Sequence, residues 1–177
     1  MNKFVIAITG PAGVGKSTVA EGVARSFDKC VNIEADHIKH MIVSGFYEDD
    51  SMPGGGGFTE WGLVGDSIGL LAANFLDSGF SVVVNGYIDE SAWKNIEKHV
   101  TITHKFLLLP DLNTVLKRDS GRSEDATMGE ETVRQHYTIF SANDFYNSFR
   151  KLDTAAHTAG QTVGNIVKII SQSTSSQ

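Results

Sequence analysis

Gly10-Pro11-Ala12-Gly13-Val14-Gly15-Lys16-Ser17 fits the spacing G-x-x-x-x-G-K-[ST] without a mismatch. Each residue type has a physical reason to be there. Glycines adopt backbone angles closed to other residues, so consecutive N–H groups can converge on a phosphate. The loop opens a helix, whose positive end adds favourable potential. Lys16 can reach the outer phosphates of a nucleotide, and the Ser17 hydroxyl can ligate Mg²⁺. Thr18 has two readings of equal weight: a contact to the innermost phosphate, or a place in the first helical turn. The alternative to the whole motif is a glycine-rich turn without a ligand, and its setting between a strand and a helix argues against that.

Such a loop needs a strand before it and a helix after it. Phe4–Thr9 is a short apolar run ending in glycine and proline, which predicts a buried strand. Residues 16–27 carry Val19, Val23 and Phe27 at helical spacing. The alternation continues: a strand at Val31–Glu34, a helix bearing Ile38, Met41 and Ile42, and a long helix over 60–78 with Trp61, Val64, Ile68, Leu71 and Phe75 on one face. Strands follow at Ser81–Asn85 and Lys105–Leu109, with a short helix from Ser91 to His99 between them. Asp111 is placed to cap a helix to about Asp119, Ser120–Gly129 is polar, and Glu130 and Glu131 open a helix carrying Val133, Tyr137 and Phe140. A last strand at Phe149–Leu152 precedes a helix with Val163, Ile166, Ile169 and Ile170. This alternation predicts an α/β fold with a mainly parallel sheet and helices on both faces. Ligands then belong at the carboxyl ends of the strands.

The 177 residues suffice for one good core, so residues 1–170 read as a single domain and 171–177 as a polar tail. A net charge of −6 argues against non-specific nucleic-acid binding. One cysteine, Cys30, excludes a disulfide-stapled secreted domain and reads as an ordinary strand residue. No apolar stretch reaches the ~18 residues of a membrane span, and the N-terminus has no signal-peptide pattern, so no membrane association and a cytoplasmic location are expected.

With these elements in order, the chain resembles the small-molecule kinases of the P-loop class, which include chloramphenicol phosphotransferase, gluconate kinase, shikimate kinase and zeta-type toxins. The resemblance spans nearly the whole chain in element order. It is motif-specific at Gly10–Ser17, and looser at Asp36 and around Arg118 to Arg122. It implies a P-loop NTPase fold of the nucleotide and shikimate kinase type, with about five parallel strands and a short lid near 117–129. It also implies ATP and Mg²⁺ as cosubstrate and cofactor, with Gly10, Pro11, Ala12, Gly13, Val14, Gly15, Lys16, Ser17 and Thr18 holding them and Ser17 on the metal. In that group an acidic residue past the second strand faces the acceptor hydroxyl, and the matching residue is Asp36. A helix cap is the other reading of Asp36. Glu34 holds a metal-bound water or is a solvated strand end. Arg118 and Arg122 would swing over the transferring phosphate, where a planar guanidinium suits the charge, or would simply populate a helix C-terminus. Arg134 is equally well explained by an exposed helix face. One departure stands out: Val82-Val83-Val84 ends in Asn85, where many P-loop enzymes carry a metal-supporting aspartate. Glu34, Asp36 or Asp89 could replace it.

Other groups read blandly. His37 and His40 lie three apart with no third metal ligand at sensible spacing. Gly54–Gly57 could hinge a lid or be a loose loop between helices. Trp61 belongs to a core stripe before it is an acceptor platform.

The sequence therefore favours an ATP-dependent phosphotransferase acting on a hydroxyl of a small molecule. Two alternatives compete. A nucleoside monophosphate kinase needs arginines for its dianionic acceptor, and none occurs from Asp36 to Lys105. A nucleotide-dependent switch lacks an N-K-x-D or L-S-G-G-Q stretch to support it. The same lack of arginine, with Glu48, Asp49, Asp50, Glu60, Asp66, Asp77, Asp89 and Glu90 in that region, predicts a non-anionic acceptor.

Overall fold

The computed structural model describes residues 3–45, 48–49, 57–58, 60–123 and 127–174. Its centre is a five-stranded parallel sheet in the order β2-β5-β1-β6-β7. The strands are β1 (Val5–Thr9), β2 (Cys30–Glu34), β5 (Ser81–Asn85), β6 (His104–Leu108) and β7 (Arg150–Leu152). β1 and β5 are buried along their whole length, as continuous apolar runs in a sheet covered on both faces must be.

Alternation along β1 sorts the two layers. Val5 and Ala7 face one core with α3 (Trp61–Asp77), α4 (Glu90–Ile96) and the 3₁₀ turn Asp144–Ser148. Ile6 and Ile8 face the other with α1 (Lys16–Arg25), α5 (Leu112–Ser120) and α7 (Ala159–Thr174). The remaining elements are α2 (Ala35–Lys39), α6 (Glu130–Ala142) and a two-residue antiparallel pair, β3 (Glu48–Asp49) with β4 (Gly57–Phe58). Asp111 caps α5 by accepting from the Thr114 N–H, as its position predicts.

Several expectations change. The helix after β2 stops at Lys39, and Met41 is 73% exposed, so the Ile38–Met41–Ile42 spacing does not mark one helical face. The connection around the glycine run carries the β3–β4 pair. Gly57 pairs with Asp49, and Gly54–Gly56 lie outside the described residues. The helix at the C-terminus runs to Thr174, into the segment that reads as tail, with the Ser173 hydroxyl donating back to the Ile169 carbonyl.

α3 is unusual for a long helix because Gly65 and Gly69 lie on its buried face. A Cβ on Gly65 would stand 2.3 Å from the Ala92 carbonyl oxygen, and one on Gly69 3.0 Å from that of Ile96. The two glycines let α4 approach α3 backbone to backbone. That offsets their poor helix propensity, about 1 kcal/mol each.

Candidate active site

The phosphate-binding loop lies at the carboxyl end of β1. Gly10, Gly13 and Gly15 have φ of 147°, 78° and 91°. At Gly10 a side chain is excluded twice over, since its Cβ would meet the Leu108 carbonyl oxygen at 2.3 Å. Gly15 is the N-cap of α1 and supplies no side-chain cap, so the first N–H groups of α1 are left for a ligand to satisfy. The residues present therefore fit a nucleotide phosphate: a left-handed glycine turn, an uncapped helix start and a lysine.

Lys16 donates from Nζ to the Pro11 carbonyl at 2.8 Å. Burial, the largest influence, lowers its pKa to about 8. The Asp36 carboxylate then acts upward, the Arg122 guanidinium downward and Glu34 upward. Asp36, Arg122 and Glu34 thus all act on one ammonium, although they come from α2, the segment just past α5, and the end of β2.

Ser17 Oγ donates to Glu34 Oε1 at 2.6 Å. The carboxylate thus engages the hydroxyl that the motif assigns to Mg²⁺, so the donor set fits a hard cation: one hydroxyl with an acid behind it. Asn85, fully buried on the neighbouring strand, donates from Nδ2 to Asn32 Oδ1 at 2.8 Å and leaves its own Oδ1 without a partner. Glu34 stands at the end of β2, paired in register with Asn85.

Asp36 lies in the first turn of α2, and the N-cap position belongs to Glu34. The helix begins before Asp36, so Asp36 cannot be the residue that caps it. Ala35 is buried, and a Cβ on Gly86 would lie 2.8 Å from the Ala35 methyl. The Thr9 hydroxyl also donates to the Gly86 carbonyl at 2.9 Å. The segment 34–36 is thereby fixed against the ends of β1 and β5.

The two candidate arginines part company. Both Nη atoms of Arg118 are engaged by Thr154, one on its hydroxyl at 3.0 Å and one on its carbonyl at 2.6 Å. Here Arg118 ties the end of α5 to the loop before α7 and does not reach over the phosphate loop. Arg122 is half-exposed, and its guanidinium lies 3.5 Å from the Asp119 carboxylate. Arg134 forms a fork onto Glu130 on the exposed face of α6, as the bland reading had it. His37 and His40 are exposed, and no group of three or more metal-ligating side chains occurs among the described residues. Burial raises the Cys30 thiol to about 11, which suits an inert strand residue.

Asp119 was legible in the sequence only as a helix end, yet it is buried. Its carboxylate accepts from the N–H groups of Met128 and Gly129 at 3.1 and 3.2 Å, and the Thr127 hydroxyl donates to its carbonyl. It closes the base of the segment between α5 and α6. A Cβ on Gly13 would stand 3.4 Å from its own Cβ, so the same residue also abuts the phosphate loop. The acidic field read from sequence also thins. Asp77 and His99 line one pocket with Lys3, Phe4 and Val5, at the amino end of β1, and Asp66 pairs with His99 at 2.7 Å. Asp89 caps α4, and Glu90 pairs with Lys94.

No family model and no curated protein matches the sequence. Solved structures do match in shape. The Deinococcus radiodurans tunicamycin resistance protein superimposes with a TM-score of 0.70 at 20% identity, covering 95% of each chain. A Janibacter sugar kinase gives 0.69 at 16% identity, with 96% and 95% covered. A Sinorhizobium meliloti gluconokinase gives 0.68 at 17% identity, with 97% and 93% covered. The chain therefore has the fold of the small P-loop kinases over nearly its whole length.

Proposed function

We propose that the protein is an ATP-dependent kinase that transfers the γ-phosphoryl group of ATP to a hydroxyl of a small molecule. The observation that carries this reading is the phosphate loop: positive-φ glycines before an uncapped helix start, with the Ser17 hydroxyl on Glu34. Gly10–Thr18 would cradle the phosphates, and Lys16 would neutralise charge on the outer ones. Ser17 would ligate Mg²⁺, with Glu34 orienting that hydroxyl, and the ion would supply positive charge to the phosphates. Asp36 would hold the acceptor hydroxyl and take its proton. Arg122, free to move at the base of the lid, would stabilise charge in the transition state. Arg118 would act from further back, by fixing the end of α5 on Thr154.

The acceptor reading is of a non-anionic compound, and it rests on this chain's own residues. No arginine occurs between Asp36 and Lys105. Lys94 and Lys105 are committed to Glu90 and Glu97, and Lys98 to Asn95. The gluconokinase of the same fold is named for an anionic acceptor, so the fold by itself decides nothing here.

The test is acceptor-dependent ADP release from ATP-Mg over a panel of hydroxylated compounds, with Asp36→Asn as the paired variant. We expect release to depend on the acceptor and to fall about 10²–10⁴-fold in the variant, while ATP affinity holds. Release that ignores the acceptor and responds to a protein partner would instead favour the switch.

A further inference from the structure

Asp119 is a buried carboxylate outside the phosphate cradle, and its two oxygens have different partners. Oδ2 accepts from the Met128 and Gly129 N–H groups at 3.1 and 3.2 Å, just ahead of α6. Oδ1 faces Arg122 Nη1 at 3.5 Å and lies 3.3 Å from the Met128 nitrogen. The Asp119 carbonyl accepts from the Arg122 N–H at 3.1 Å and from the Thr127 hydroxyl at 2.9 Å. The backbone and the guanidinium of Arg122 are both anchored on this one residue.

Asp119 also has a fixed place against the phosphate loop. A Cβ on Gly13 would stand 3.4 Å from both the Asp119 Cβ and its backbone nitrogen, which is van der Waals contact. Burial lowers the Lys16 pKa most, Asp36 raises it, and the Arg122 charge lowers it again, so Arg122 is within electrostatic reach of that loop. Burying a carboxylate is costly unless it is paired and hydrogen-bonded. Bridging Met128 and Gly129 requires no charge, because a single amide oxygen could accept both N–H groups. The charge matters where Oδ1 meets the guanidinium.

We propose that Asp119 is the positioning residue for Arg122: Oδ2 fixes the chain ahead of α6, and the charge at Oδ1 keeps the guanidinium within reach of the phosphoryl group that is transferred. This rests on the kinase reading above and deepens it. Arg122 is half-exposed, and a long side chain loses rotamer freedom when it settles on a phosphate. A carboxylate 3.5 Å away restrains it beforehand, without a tight bond that the phosphate would have to break.

The test measures binding of ADP-Mg with and without aluminium fluoride, which completes a mimic of the transferring phosphoryl group and needs no acceptor. The ratio of the two affinities cancels the contacts made to ADP itself. Arg122→Ala should cut the fluoride enhancement about ten- to a hundredfold. Asp119→Asn can keep both backbone bonds through its remaining oxygen. It should cut the enhancement about three- to tenfold, with ADP-Mg affinity and the thermal midpoint near wild type. Added to Arg122→Ala, it should change the enhancement by less than about twofold, because the partner it acts through is gone. Where Asp119→Asn does not fold, Thr127→Val takes its place: it loosens the same anchor from an exposed position and should cut the enhancement about two- to threefold, again only with Arg122 present. Four outcomes overturn the inference while the kinase reading stands: an unchanged enhancement in the folded variant, equal cuts with and without Arg122, a loss confined to ADP-Mg affinity, or a wild-type enhancement no larger than that of Arg122→Ala. Failure of the wild-type protein to bind ADP-Mg would instead sink the kinase reading itself.

Discussion

Lys16 is held in a place that costs stability. Its pKa falls from 10.5 to about 8 because burial disfavours the ammonium. A lowered lysine pKa means that the fold resists the charged form relative to the unfolded chain. The cost is complete below pH 8, where both states are protonated. It shrinks between 8 and 10.5, where the unfolded chain still binds the proton and the folded one has released it, so stability rises with pH across that window. Lys16→Met should therefore raise the thermal midpoint at pH 7, by the equivalent of about 1–2 kcal/mol after allowing for solvent access and the lost bond to Pro11, while abolishing phosphoryl transfer. A melting curve at pH 7 and another at pH 10 check it, since the gain should be smaller at the higher pH.

Arg118 and Arg122 make a second contrast between single residues. Arg118→Ala leaves the buried Thr154 hydroxyl without its donor, and its carbonyl with only the His157 N–H, and should lower stability by about 1–3 kcal/mol. Arg122→Ala removes a long, half-exposed ion pair to Asp119, worth at most about 1 kcal/mol, yet should reduce turnover more than ATP affinity. Melting temperatures and single-turnover rates on the two variants separate a strut from a charge stabiliser. Sequence alone could not tell the two arginines apart, because both fall near the end of one helix. What distinguishes them is Thr154, thirty-six positions from Arg118 in the chain.

Among the elements, the α3–α4 contact was the least legible. The apolar stripe of α3 is plain in the sequence, and Trp61, Val64 and Ile68 are indeed buried. The glycines between them look like weak points in a helix until α4 is seen lying on them. Gly65→Ala would drive Cβ into the Ala92 backbone and should destabilise by about 1–3 kcal/mol, even after the gain in helix propensity. Gly164, in α7, offers the control. A Cβ there meets nothing within 4 Å, so Gly164→Ala should stabilise by about 0.5–1 kcal/mol. Denaturant midpoints for the pair, moving in opposite directions, check both. The five strands of the parallel sheet were read to within a residue, β1 and β5 because each is one buried apolar run, whereas the two-residue β3–β4 pair was not read at all. Boundaries slipped at α2, where a turn takes over after Lys39, and the 3₁₀ turn Asp144–Ser148 has no periodic signature at all.

At the scale of the whole molecule, the sheet order brings together residues that the chain keeps apart. Lys16, Glu34, Asp36, Asn85 and Arg122 come from four parallel strand ends and the helices after them. The motif announced Lys16 and Ser17 because a phosphate cradle needs contiguous residues. Asp36 was legible only by resemblance, since it holds no fixed spacing from the contiguous motif. The parallel order also sets Glu34, at the end of β2, beside Asn85, at the end of β5.

The rigid segment Glu34–Ala35–Asp36 carries one further implication. Glu34 accepts from the Ser17 hydroxyl, the group assigned to Mg²⁺, and Asp36 is the residue proposed for the acceptor, with the Ala35 methyl against Gly86 between them. A shift at one end cannot be absorbed before it reaches the other, so occupancy of the two sites should be heterotropically coupled. Such linkage is reciprocal by thermodynamic necessity: whatever factor Mg²⁺ contributes to acceptor affinity, the acceptor must return to Mg²⁺. In titrations of the ATP-bound protein, Glu34→Gln should then weaken acceptor binding as well as metal binding, and Gly86→Ala should lower both affinities without touching either ligand.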